Sequence, residues 1–120
     1  MVYSAKILAV DDEPELTELM HFHLVRAGHE VATAANGWEA IASVRHSRPD
    51  IILLDIGLPE LSGYSVAQEL RRNSELARTL LIAMTGYGRL EDREKSLAAG
   101  FDEHLVKPIN YEKLRELLIN

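Results

Sequence analysis

Apolar runs and amphipathic stretches alternate along the whole chain. Ala5-Lys6-Ile7-Leu8-Ala9-Val10 reads as a first strand. Behind Pro14, which suits a helix's first turn, Leu16, Leu19, Met20, Leu24 and Ala27 recur at helical spacing until Gly28 ends the segment. Glu30-Val31-Ala32-Thr33-Ala34 alternates like a strand, and Asn36-Gly37 turns the chain into a helix carrying Trp38, Ala40, Ile41 and Val44. The branched aliphatics Ile51-Ile52-Leu53-Leu54, between Arg48-Pro49-Asp50 and Asp55-Ile56-Gly57-Leu58-Pro59, predict a short strand buried on both faces. Ser62 or Gly63 opens a helix with Val66, Ala67 and Leu70 inward and Arg71-Arg72 solvated. Thr79-Leu80-Leu81-Ile82-Ala83-Met84 is a further apolar strand, followed by a helix from Arg89 to Ala99 with Leu90, Leu97 and Ala98 inward and Gly100 as terminator. His104-Leu105-Val106 is a last short strand, and Asn110 caps a final helix with Tyr111, Leu114, Leu117 and Leu118 on one face.

Strand and helix thus alternate throughout, with short loops and no internal repeat, low-complexity tract or linker. That order predicts an α/β fold, a parallel sheet covered by helices on both faces and joined by right-handed crossovers, in a single domain over residues 1–120. His23 falls on the apolar stripe of the first helix and is expected to be packed core, since no other ligand type lies one turn away. Phe22 points outward, and Trp38 is expected to be a partly buried residue at a helix start.

Composition narrows the functional classes. The 120 residues are 47% hydrophobic and 27% charged, an ordinary globular mix. No apolar run approaches the roughly 18 residues of a membrane span, and Met1-Val2-Tyr3-Ser4-Ala5-Lys6 lacks a signal peptide's apolar segment, so the chain reads as soluble and cytoplasmic, without membrane insertion. The absence of cysteine excludes a disulfide framework and thiolate metal sites. A formal net charge of −6 argues against direct nucleic-acid binding by this chain.

The chemistry gathers just past the strands. Asp55, delivered by a buried strand to a turn, is on its own segment as readily a turn or cap residue as a functional acid. Three other strand ends carry Asp11 and Asp12, Thr85, and Lys107. If neighbouring strands bring these together, the three carboxylates and one ammonium sum to −2. Each like-charged pair about 4 Å apart costs on the order of 4 kcal/mol at an effective dielectric near 20. A hard divalent cation removes that repulsion, and Mg²⁺ fits because it needs few protein ligands. With the acids neutralised, Asp55 can attack phosphorus as carboxylates do when they form aspartyl phosphates, while Lys107, the Thr85 hydroxyl and nearby backbone N–H groups hold the equatorial oxygens. Gly57 offers no general acid, so the leaving group must already be a good one, such as a phosphoimidazole.

Asp11-Asp12, Asp55 with Pro59, Thr85-Gly86 and Lys107-Pro108 together resemble the receiver domain of two-component response regulators, over essentially the whole chain. The resemblance implies a flavodoxin-like, doubly wound sheet of five parallel strands in the order 2-1-3-4-5 with five helices. It implies that Asp55 accepts a phosphoryl group from a histidine kinase or histidine phosphotransfer protein. Asp12 and Asp55 would then be direct Mg²⁺ ligands with the Gly57 carbonyl, and Asp11 would act largely through water. Lys107 would contact the phosphoryl group and precede a cis peptide to Pro108, and Thr85 would turn inward on phosphorylation. Leu58 stands where methionine is usual, and His104 where many receivers carry Tyr or Phe that moves with Thr85. Tyr87 is expected to lie over the site and lengthen the phosphorylated lifetime. The stretch from Leu97 to Pro108 is similar to receivers attached to hybrid sensor kinases.

A Mg²⁺-dependent phosphohydrolase would need an acid where Gly57 stands, and a nucleotide-binding module would need glycines where Asp11, Asp12 and Glu13 stand. A degenerate receiver acting only as a binding module is the third alternative. The expectation is therefore a phosphoacceptor rather than an enzyme, its output supplied by an attached or separate domain, since no DNA-binding or catalytic module is read after the last helix.

Overall fold

The computed structural model describes residues 4–86 and 90–119. The elements in order are β1 (Lys6–Val10), α1 (Pro14–Arg26), β2 (Glu30–Ala34), α2 (Gly37–His46), β3 (Ile51–Asp55), α3 (Gly63–Arg71), β4 (Leu80–Thr85), α4 (Leu90–Ala99), β5 (Glu103–Val106) and α5 (Tyr111–Ile119). All strand pairs are parallel, in the order β2-β1-β3-β4-β5. The register runs Val10 to Leu54 to Ala83 to His104, so the carboxyl ends of β1, β3, β4 and β5 open on one edge.

Every residue of β3 is buried, which is why its apolar run does not alternate. Two cores follow from the pleat. Leu8, Val10, Ile52, Leu54, Leu81 and Ala83 pack against α2, α3 and the end of α4, while Ile7, Ala9, Ile51, Leu53, Ile82 and Met84 pack against α1 and α5. Local chemistry sets the helix starts. Asn36 Oδ1 accepts the Glu39 N–H at 2.9 Å and Ser62 Oγ the Ser65 N–H at 3.3 Å. Asn110 Oδ1 accepts from both Glu112 and Lys113.

Four sequence expectations are corrected. In α1 the buried row is Thr17, Met20 and Leu24, leaving Leu19 exposed and His23 outside the core, where its ring stacks on Tyr111 of α5 at 4.0 Å. A step of one residue turns a helix by about 100°, so positions adjacent to the buried row fall off it. The same rotation in α4 buries Ser96 and Ala99 and exposes Leu97. Trp38 is 63% exposed rather than partly buried, lying on the outer side of α2 opposite Ala40 and Val44. Arg71 is not a solvated residue, because its guanidinium bonds four acceptors at the base of α3.

Candidate functional site

Acidic side chains reach the open edge because buried strands carry them there. Asp11, just past β1, is 1% exposed, and its N–H donates to Ala34 O at 3.1 Å. Its Oδ1 accepts the Glu13 N–H at 2.9 Å, which fixes the carboxylate across the start of α1. Asp55 ends β3 at 6% exposure, with Oδ1 accepting the Gly57 N–H at 3.0 Å. Lys107 crosses from the far side: its Nζ lies 2.7 Å from Asp11 Oδ2 and 3.5 Å from Asp55 Oδ2. Its own N–H donates to Thr85 O at 2.7 Å, which ties the β4 and β5 ends together, and the Lys107–Pro108 peptide is cis. Asp12 is exposed, yet it contributes an oxygen to a cluster in which Asp11, Asp12 and Asp55 oxygens all lie within 4.8 Å of one another.

Burial raises the Asp55 pKa, with the Asp11 charge adding to it; the Gly57 N–H and Lys107 oppose both without cancelling them. Burial alone would lower the Lys107 pKa, but the bond to Asp11 and the charges of Asp55, Asp11 and Glu13 outweigh it and raise the value. Lys107 therefore stays an ammonium beside the acids. Such an all-oxygen, partly buried donor set fits a hard divalent cation.

Thr85 is buried, and its hydroxyl is 3.1 Å from His104 Nε2 on β5. Gly57 is exposed, and a Cβ there would sit 3.5 Å from Asp55 Oδ1; one on Gly86 would meet nothing within 4 Å. Gly57, beside Asp55, and Gly86, just past β4, thus add no side chain to this edge. Tyr87, expected over the site, lies outside the described residues.

Gly63 is a positioning residue whose role the sequence did not reveal. A Cβ at Gly63 would stand 2.4 Å from both Asp55 O and Ile56 Cα, so only glycine lets α3 close on the end of β3, where its N–H donates to Ile56 O. Glycine at a helix start is legible in the sequence, but the backbone it touches is not.

The profile of the response regulator receiver domain matches residues 7–119. The chain belongs to that family. Receiver domains are phosphoacceptor signalling modules of two-component systems rather than enzymes in the ordinary sense. The fold is that of chemotaxis protein CheY4 of Vibrio cholerae, at a TM-score of 0.92 and 34% identity, covering 98% of each chain. The receiver domain of sensor histidine kinase PA1611 from Pseudomonas aeruginosa PAO1, solved with magnesium in its active-site cleft, superposes at a TM-score of 0.87 with 34% identity, over 97% of this chain and 95% of that one. The DNA-binding dual master transcriptional regulator RpaA of Synechocystis is 33% identical over 109 residues, 91% of this chain and 45% of its own length. The chain spans about half the length of the curated relatives it matches, several of which are named as transcriptional regulators.

Those relatives correct the expectation of partners without direct nucleic-acid binding. A net charge of −6 limits only what these 120 residues do by themselves, and it carries no information about the charge of a tethered module. No described helix is long and apolar enough to cross a membrane.

Proposed function

We propose that residues 1–120 form one receiver domain whose Asp55 carboxylate takes a phosphoryl group from a phosphohistidine of a histidine kinase or phosphotransfer protein in the cytoplasm, and so controls an output. The observation that carries this reading is Lys107 Nζ set between Asp11 Oδ2 at 2.7 Å and Asp55 Oδ2 at 3.5 Å, an ammonium held against two buried acids at the carboxyl edge of the sheet. Asp12, Asp55 and the Gly57 carbonyl would hold Mg²⁺, with Asp11 acting through water. Bound there, the ion would offset the negative charge of the acids and of the transferred group.

The chain's own groups do the rest. Asp55 Oδ2, the oxygen facing Lys107, or Oδ1, which the Gly57 N–H already orients, attacks phosphorus in line with the departing imidazole nitrogen. Lys107 stabilises the charge on the transferred group. Thr85 supplies a hydroxyl after transfer, once it leaves His104. The magnesium-bearing relative supports the metal assignment, and the relatives named as transcriptional regulators support an output on transcription.

Acetyl phosphate tests the acceptor. Intact mass should rise by one phosphoryl group in the wild type with Mg²⁺, and neither in the Asp55→Asn variant nor with chelator. No gain in a wild type shown separately to bind Mg²⁺ would overturn the proposal.

A further inference from the structure

A groove of about 410 Å³ runs between α2 and α3, with Trp38 at one end and Arg45 and Glu69 at the other. Ile41 and Leu61, half-buried against the core beneath, line its middle and its Trp38 end. Trp38 is 63% exposed, and among the described residues the Arg45 guanidinium has no ion pair or hydrogen bond. We propose that this groove is a self-complementary docking surface for a second copy of this chain. A twofold axis beside Ala42 relates the two copies, and each Trp38 ring stacks on Arg45 of the other.

The spacing carries the symmetry. Seven residues bring a helix back to the same face about 10 Å further on. Trp38 and Arg45 therefore stand two turns apart on α2, with Ile41 and Ala42 midway between them. A twofold axis at that midpoint reverses the helix and lays the ring of one copy on the guanidinium of the other, twice over, as an isologous interface requires. Arginine is attracted to the face of an indole ring, and in the single chain that ring faces water and that cation has no acid. Glu69 shares the Arg45 end, so the residues lining the groove carry one positive and one negative charge, and the face is neutral although the chain carries −6. Two copies can approach there, whereas Glu69 repels a carboxylate that an acidic partner would bring to Arg45. One groove is a small patch beside an obligate interface, so the dimer forms at micromolar to millimolar chain.

Sedimentation velocity of the full chain should show a monomer–dimer equilibrium as its concentration rises from micromolar to millimolar. Trp38 is the one tryptophan of the sequence, so its emission should move to shorter wavelength over the same range. Arg45→Ala should raise the dissociation constant about five- to thirtyfold, the range for two exposed cation–π contacts, and Trp38→Ala should raise it further. Both side chains are exposed, so both variants keep the fold. The chain has no cysteine, which allows a second measurement. Ala42→Cys, beside the axis, should oxidise to a covalent dimer faster than Glu18→Cys on α1, across the sheet. A chain that stays monomeric at millimolar concentration would overturn the proposal, as would a dimer that leaves Trp38 emission unmoved. Dissociation constants unchanged in both alanine variants, or equal cross-linking at positions 42 and 18, would overturn it too. A monomeric wild type whose Trp38 emission is moved by a synthetic helical peptide of Leu and Glu would give the groove to an acidic partner and rule out the second copy.

Discussion

His29 shows how a single side chain can couple folding to pH. Its Nδ1 accepts the Ala5 N–H at 3.1 Å across the start of the sheet, and burial lowers its pKa. An imidazole whose folded pKa is depressed stays neutral in the native state while the unfolded chain takes up a proton. Its contribution is therefore complete above the unfolded value, near 6.5, and is lost as pH falls through the folded value. The denaturant midpoint of the wild type should drop between pH 7.5 and 5.5 by more than that of His29→Gln, which does not titrate. Parallel pH profiles for the two would remove His29 from the account. Nothing in the sequence marks this histidine, because its partner is a backbone N–H twenty-four residues away. Asp11, Asp55 and Lys107 were legible because each follows an apolar strand, and charge at a strand's end survives any error in register. The direction of the Thr85 side chain was not legible, since it depends on which side of the pleat a strand finishes.

Between elements, Arg71 is the corresponding hidden contact. Its Nε donates to Gly100 O at 2.9 Å, Nη1 to Leu76 O and Thr79 O at 2.9 and 3.0 Å, and Nη2 to Asp102 Oδ2 at 2.6 Å. One planar fork thus joins the end of α3, the turn before β4, the end of α4 and the entry to β5. Asp102 Oδ2 in turn accepts the Leu81 N–H at 2.9 Å, which extends the network into β4. The side chain is only 22% exposed, so the carbonyls it serves are poorly placed to recover water bonds. Arg71→Lys keeps the charge but cannot reproduce the fork, and it should destabilise the domain by about 1–3 kcal/mol with no change in slope of urea unfolding. Phosphoryl uptake at the opposite edge of the sheet should be retained. A loss below a few tenths of a kcal/mol would show the network to be incidental. Periodicity placed Arg71 at the end of a helix beside Arg72, where two arginines read as a wet face; Arg72 does stay exposed, pairing with Glu69. Helix order and strand order came through because alternating patterns repeat over many residues. The phase of α1 and α4 did not, because a few aliphatics on a short helix leave its inward direction open by one residue.

Across the whole molecule, the candidate site sets folding against function. The domain carries a net charge of −6, and its open edge concentrates Asp11, Asp12 and Asp55 against the ammonium of Lys107. The raised Asp55 pKa means that its charged form is less favourable in the fold than in water, so ionising Asp55 costs the metal-free domain stability. Removing that charge should stabilise: in chelator, Asp55→Asn should melt a few degrees above wild type, the shift produced by about 1 kcal/mol in a domain of this size. Adding the cation should reverse the order. A ligand at about a hundred times its dissociation constant adds about 2.7 kcal/mol, which corresponds to roughly 10 °C here, and the wild type should gain more of it than the variant that has lost a ligand oxygen. Circular dichroism melts of both proteins, in chelator and in Mg²⁺ at matched ionic strength, separate the specific ion from general screening. A wild-type midpoint indifferent to Mg²⁺, with Asp55→Asn no higher in chelator, would show that the acids are accommodated without a metal and that the repulsion is already relieved by Lys107 alone.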